Sequence, residues 1–292
     1  MCIDTKRKIL IVDDDERWLK KISRILQADY ELTLITEPSE AFNALKEHVY
    51  SLVILDMKFP AGVSGLDVFS QMQDISPNLH AIILTGYPNT SSMQSSFKRG
   101  FLDYLEKGSI NLSQELKTVV EEVLAKSEAY EIMNLIAQGE SEELEFKSTV
   151  RWDMRANKIN KELEKVIIKT IATFFNSGTG GILLVGVDDD GKILGLANDY
   201  KTLGDRQNKD GFENLLMTLL LDACGKECIA LVKIVFHQIE GQEVCQINIK
   251  SSPKPIFVKE DKNEHLYIRT GNSIRLLAAR EAIEYCKIHW KN

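Results

Sequence analysis

Several side chains that can do chemistry stand just after short apolar runs. Asp13, Asp14 and Asp15 follow Ile9-Leu10-Ile11-Val12. Asp56 follows Leu52-Val53-Ile54-Leu55, Thr85 follows Ala81-Ile82-Ile83-Leu84, and Lys107 comes soon after Tyr104-Leu105. Asp13, Asp14 and Asp56 offer hard oxygen ligands for Mg²⁺, which favours octahedral geometry and keeps several waters. Close carboxylates raise one another's pKa by about 1–3, and a divalent cation removes that cost while neutralising an incoming phosphoryl group. Asp56 is then the candidate nucleophile of aspartyl-phosphate chemistry. Thr85 can donate a hydroxyl hydrogen bond to one phosphoryl oxygen, and Lys107 offers a point charge to another. Each residue alone reads as a solvated loop group. Together they point to Mg²⁺-assisted transfer of a phosphoryl group onto a carboxylate.

For these residues to meet, the apolar runs must be parallel strands whose carboxyl ends open on one crevice. The first half alternates accordingly. Strands are expected at 8–12, 31–36, 52–55, 81–84 and 103–105. Helical spacing joins Trp18, Leu19, Ile22, Ile25 and Leu26, then Ala41, Phe42 and Leu45, then Leu66, Phe69 and Met72. This predicts an α/β, doubly wound, five-stranded parallel domain.

In its text ILIVDDD, LVILDMKFP, IILTGY and DYLEK, the chain resembles the response-regulator receiver family over residues 1–126. The resemblance implies that Asp13 and Asp14 bind metal with Asp56, that Asp56 is phosphorylated by a sensor histidine kinase or phosphotransfer protein, and that Thr85, Lys107 and Tyr104 form the switch. Two departures stand out. The loop Pro60–Gly65 is one residue longer than usual, and Gly108 follows the lysine where the family usually has proline.

The whole chain of 292 residues suggests about two domains. It has no apolar stretch of membrane-spanning length and no signal-type N-terminus, so a cytoplasmic protein without membrane attachment is expected. Its five cysteines form no repeated CxxC pair and its five histidines no ligand spacing. The net charge is −7, spread over both halves, which argues against tight non-specific DNA binding. Residues 111–137 lack glycine and proline and carry an apolar stripe, with Gly139 as a helix stop. Residues 127–138 read as a helical connector whose stripe serves either domain packing or a homodimer seam.

Residues 139–292 read as an α+β domain with mostly antiparallel strands. Helices are expected near 163–175, 212–223 and 278–290, and hairpins around 188–191 and 240–242. An acid-rich segment, 139–147, precedes a basic one. Over 147–175 seven basic side chains face three acidic ones, a local net charge of +4. Lys147, Arg151, Arg155, Lys158 and Lys161, with Trp152 among them, suit a phosphate backbone with occasional base stacking. A solvated helix face is the bland alternative. Gly178-Thr179-Gly180-Gly181 follows a helix and lacks the GxxxxGK[ST] pattern, so it reads as a tight turn and not as a phosphate loop.

The segments ESEELEFK, Arg151-Trp152-Asp153, FFNSGTGGILLVGVDDDG and YIRTGNS resemble the Schlafen AlbA-like DNA-binding family over residues 139–280. That resemblance implies nucleic-acid binding. From the family's animal relatives it also implies a metal-dependent nuclease trio at Glu140, Glu145 and Asp188. Three readings of the output domain therefore stand: nucleic-acid binding, switched nuclease, and protein-interaction module.

Overall fold

The apolar runs of the first half lack the alternation of half-exposed strands, so they must be covered on both faces. The computed structural model, which describes residues 6–86 and 103–290, arranges them so. β1 (Lys8–Val12), β2 (Glu31–Ile35), β3 (Leu52–Asp56), β4 (Ala81–Thr85) and β5 (Asp103–Glu106) form a parallel sheet in the order β2-β1-β3-β4-β5. On one face Ile9, Ile11 and Ile54 pack against Leu19, Ile22 and Leu26 of α1 (Glu16–Leu26). On the other, Leu10, Val53 and Ile83 meet Ala41 of α2 (Pro38–Glu47) and Val68, Phe69 and Met72 of α3 (Gly65–Ile75). Each such side chain, fully buried, contributes about 1.5–3 kcal/mol. The expected doubly wound architecture is present, with its order reversing between β1 and β3.

Helix α4 (Leu112–Gln138) closes with Gly139 at φ 74°, whose N–H bonds to Ile136 O at 3.0 Å. The chain divides into two units, 1–128 and 129–292. The apolar stripe divides with it. Leu112, Leu116, Val120 and Val123 belong to the first unit's core. Ala129, Ile132, Leu135 and Ile136 pack in the second unit with Phe146, Leu184 and Val244. Tyr130 and Met133 stay exposed.

In the second unit, β6 (Leu144–Lys147), β9 (Gly181–Val185), β10 (Val232–Ile239) and β11 (Gln242–Ile249) form a sheet in the order β10-β11-β9-β6. All its pairs are antiparallel except β6 with β9. The face opposite α4 packs against α5 (Lys161–Phe175) and α7 (Lys209–Cys224), with the short α6 (Ala197–Tyr200) between them in sequence. The β10–β11 turn places Glu240 and Gly241 both at positive φ, as the two central residues of a type I′ turn require. The glycine run is a turn: a Cβ on Gly180 would lie 2.2 Å from Ile249 O, and one on Gly181 would lie 2.3 Å from the Phe174 ring. Asn176, fully buried, donates to Ile256 O and Tyr267 O and accepts from Ile256 N. This motif is a packing clamp.

Candidate functional site

Strand register assembles the first site. Val12 lies opposite Leu55, Asp56 opposite Leu84, and Thr85 opposite Glu106. Asp13, Asp56, Thr85 and Lys107 therefore emerge along one edge of the sheet. All four are buried, Asp13 at 1% exposure and Asp56 at 8%. Asp14 is exposed, yet one oxygen from each of Asp13, Asp14 and Asp56 lies within 4.8 Å of the others. Lys107 Nζ stands 2.5 Å from Asp13 Oδ2 and 3.2 Å from Asp56 Oδ1. Its backbone N–H donates to Thr85 O at 2.8 Å. Burial raises the Asp13 and Asp56 carboxyls above the usual range, opposed by the Lys107 ammonium. Asp15 has a different task. It caps α1, and Arg17 holds its carboxyl at about 2. Tyr104 sits on β5 opposite Ile83, partly buried against the cluster around Phe69.

Two features here escaped the sequence. The Trp18 ring centroid lies 5.4 Å from Lys107 Nζ, within cation–π reach, although its spacing reads only as part of the α1 stripe. Gly65 is pressed onto the end of β3: its N–H donates to Met57 O at 2.8 Å, and a Cβ there would lie 2.1 Å from Asp56 O. Gly65→Ala is expected to cost about 1–3 kcal/mol by overpacking. A urea denaturation midpoint equal to that of the parent would refute this.

The second unit departs from expectation at its acids. Glu140 Oε1 accepts from Phe146 N at 2.9 Å. Glu145 takes Lys147 Nζ at 2.6 Å on Oε1 and Arg269 Nη2 at 2.7 Å on Oε2. Asp188 Oδ1 accepts from Asp190 N and Lys192 N, closing its turn. Among the described residues the one group gathered tightly enough to hold a metal is Asp13, Asp14 and Asp56. Glu140, Glu145 and Asp188 do not form such a group, and each carboxylate has a partner in a local turn or an ion pair.

The basic segment sorts into two kinds of cation. Lys147 pairs with Glu145, and Arg151 with Glu164, whose Oε1 lies 2.6 Å from Arg151 Nε. Arg155, Lys158 and Lys161 are exposed and form no ion pair among the described residues. They lie on or beside a small hairpin, β7 (Trp152–Asp153) with β8 (Lys158–Ile159). Trp152 faces Ile159 across it, and Met154 and Ile159 are about half exposed. Asp153 shapes the tip by accepting from Arg155 N and Ala156 N. Asp199, 1% exposed, fixes the root by accepting from Val150 N at 3.1 Å, Arg151 N at 3.0 Å and Thr149 Oγ1 at 3.3 Å. Asn198 Nδ2 meets Met154 Sδ at 3.4 Å and also holds Lys201 Nζ at 3.0 Å, adding a cation from a distant segment. Nothing in the sequence around Asn198 signals these contacts.

Comparison with known proteins agrees with this division. Residues 9–121 match the response regulator receiver domain and residues 140–278 match the Schlafen AlbA_2 domain. The acid tolerance regulatory protein ActR of Rhizobium meliloti (strain 1021) is 30% identical over 106 residues, 36% of this chain and 54% of that protein. The photosynthetic apparatus regulatory protein RegA of Rhodobacter capsulatus is 27% identical over 128 residues, 44% of this chain and 66% of that protein. The chain thus spans between half and two thirds of these curated relatives. A CheY-like receiver domain protein from Methanospirillum hungatei JF-1 aligns at 25% identity over 42% of this chain and 97% of that one, with a TM-score of 0.39. The buried acids around Lys107 belong to a response regulator receiver domain and the exposed basic hairpin to a Schlafen AlbA_2 domain, and the chain joins the two.

Proposed function

We propose that Asp56 accepts a phosphoryl group from a sensor histidine kinase or phosphotransfer protein, and that this controls nucleic-acid binding by residues 140–278. The observation that carries the first half is Lys107 Nζ standing between Asp13 and Asp56, at 2.5 and 3.2 Å. The donor set, three carboxylate oxygens within 4.8 Å of each other, suits Mg²⁺. When bound, that ion supplies charge neutralisation for an anionic phosphoryl donor approaching an anionic acceptor. Asp56 is the nucleophile, Lys107 meets a phosphoryl oxygen, and Thr85 receives another by its hydroxyl. Tyr104 on β5 follows the new state of Thr85, shifting an existing equilibrium. No helix of the described residues is long and apolar enough to cross a membrane; the reading places the protein in the cytoplasm with its kinase partner.

The output reading rests on Arg155, Lys158 and Lys161, which are exposed, form no ion pair within 4 Å among the described residues and flank exposed apolar side chains. The reading is one of binding; cleavage by Glu140, Glu145 and Asp188, which form no tight carboxylate group among the described residues, is the alternative that a nuclease assay separates from it. The test incubates the full chain with acetyl phosphate and Mg²⁺, then measures Asp56 labelling, oligomer size and oligonucleotide affinity. Asp56→Ala abolishes labelling and any phosphate-dependent change. A labelled protein in which neither size nor affinity moves contradicts the coupling.

Trp18 bears on the same reaction. Trp18→Leu is expected to slow labelling about three- to tenfold by loosening Lys107, while Trp18→Phe, which keeps a weaker π face, retains most of the rate. Equal rates in all three proteins would remove Trp18 from the mechanism.

A further inference from the structure

A cleft of about 290 Å³ opens next to the basic hairpin. Its floor is apolar: Ile168 from α5, Leu219 and Ala223 from α7, and Val258. Its rim is charged, and two of the rim residues, Lys161 and Lys259, are exposed and form no ion pair among the described residues. Lys161 stands two residues after β8, so it belongs to the hairpin's basic surface and to the cleft at once. Of the rim acids, Glu164 is taken by Arg151 and Glu260 by Lys169 at 2.9 Å. Asp261 is the acid left over.

Resting on the nucleic-acid reading above, we propose that the AlbA_2 unit binds single-stranded nucleic acid, with the backbone on Arg155, Lys158 and Lys161 and one unstacked base in this cleft. Three observations converge. The cations surround half-exposed Met154 and Ile159 and partly exposed Trp152, surfaces that contact base faces and not phosphates. The cleft offers an apolar floor to a flat ring, and a base paired inside a duplex cannot reach such a floor unless it is flipped out. The chain carries a net charge of −7, which disfavours broad, charge-driven engagement of a duplex and leaves a short local footprint. Asp261 opposes a phosphate at the rim but accepts a hydrogen bond from the exocyclic amino group of a base.

The experiment titrates full-length protein into labelled 12-mer single-stranded DNA, single-stranded RNA and the matching duplex at low salt, reading fluorescence anisotropy. At least one single strand is expected to bind about tenfold more tightly than the duplex. The log–log salt slope is expected to be roughly −2, from the three phosphate contacts at ~0.7 each. Ala223→Phe, which fills the cleft, is expected to weaken single-strand binding about tenfold, within the range lost with one stacked base. Lys259→Gln, an exposed change that leaves packing alone, is expected to weaken it severalfold. Both variants should leave weak duplex binding unaltered. Duplex binding equal to or tighter than single-strand binding overturns the single-strand preference. So does single-strand affinity untouched by both cleft variants, which would remove the base from the cleft while nucleic-acid binding itself stands. Failure of every oligonucleotide to bind would instead sink the nucleic-acid reading, leaving the receiver chemistry intact.

Discussion

Lys107→Ala is expected to unfold at a markedly lower denaturant concentration than the parent, and Mg²⁺ is expected to return much of the loss. The ammonium it removes lies 2.5 Å from Asp13 and 3.2 Å from Asp56, two carboxylates that solvent scarcely reaches. Removing one partner from a buried ion pair costs about 3–5 kcal/mol, because the remaining charge is left uncompensated. Two acids lose their counter-charge here, so their repulsion adds to the burial that already raises both pKa values. A divalent cation held by Asp13, Asp14 and Asp56 supplies the missing positive charge. At a hundredfold excess over its dissociation constant it stabilises the folded state by about 2.7 kcal/mol. In the parent such a cation would share Asp13 and Asp56 with Lys107, so its stabilising effect there is expected to be smaller. Urea titrations of both proteins, with and without MgCl₂, decide the matter. A midpoint that Mg²⁺ leaves unmoved in both would mean that the three acids do not act together.

Glu145→Ala is expected to destabilise the second unit by a similar ~3–5 kcal/mol. Glu145 bridges Lys147 and Arg269, and the Arg269 side chain is 3% exposed. Arg269 lies over the Phe174 ring at 4.8 Å, and its Nε and Nη1 find no acceptor among the described residues, so Glu145 is the carboxylate that neutralises a deeply placed guanidinium. Glu142→Ala, three residues earlier on the surface, is the control and should stay within about 0.5 kcal/mol of the parent. This changes how a nuclease assay must be read. Cleavage lost in a Glu145 variant reports unfolding unless stability is measured alongside. A Glu145→Ala protein as stable as the parent would return the residue to the list of candidate metal ligands.

The receiver half was legible because its chemistry sits at strand ends. Four apolar runs, each closed by a polar group, dictate a parallel sheet, and parallel register then brings Asp13, Asp56, Thr85 and Lys107 to one edge. No local rule announces Trp18, because a tryptophan at helical spacing looks the same whether it faces a core or an ammonium. The output half was legible in its elements but not in its charges. A net +4 over 147–175 counts Lys147 and Arg151 with the rest, yet Glu145 and Glu164 neutralise them. The Glu145–Arg269 pair joins residues 124 apart, and Asp199 reaches back to residues 149–151, so only the tertiary fold distinguishes internal cations from free ones. For the trio Glu140, Glu145 and Asp188 the acid type and order were visible, but their hydrogen-bond partners were not.

The hairpin from Trp152 to Ile159 separates anchorage from display. Buried Asp199 and Glu164 grip its base, while Met154, Arg155, Ala156 and Asn157 at the tip turn outward. Natural variation can therefore rewrite those four letters without disturbing the scaffold beneath, with one restriction. Asn157 sits at φ 49°, a conformation that asparagine and glycine tolerate and β-branched residues resist. If the hairpin binds as proposed, such a loop is an interchangeable cassette, in which the contacting side chains can change while the fold beneath is kept.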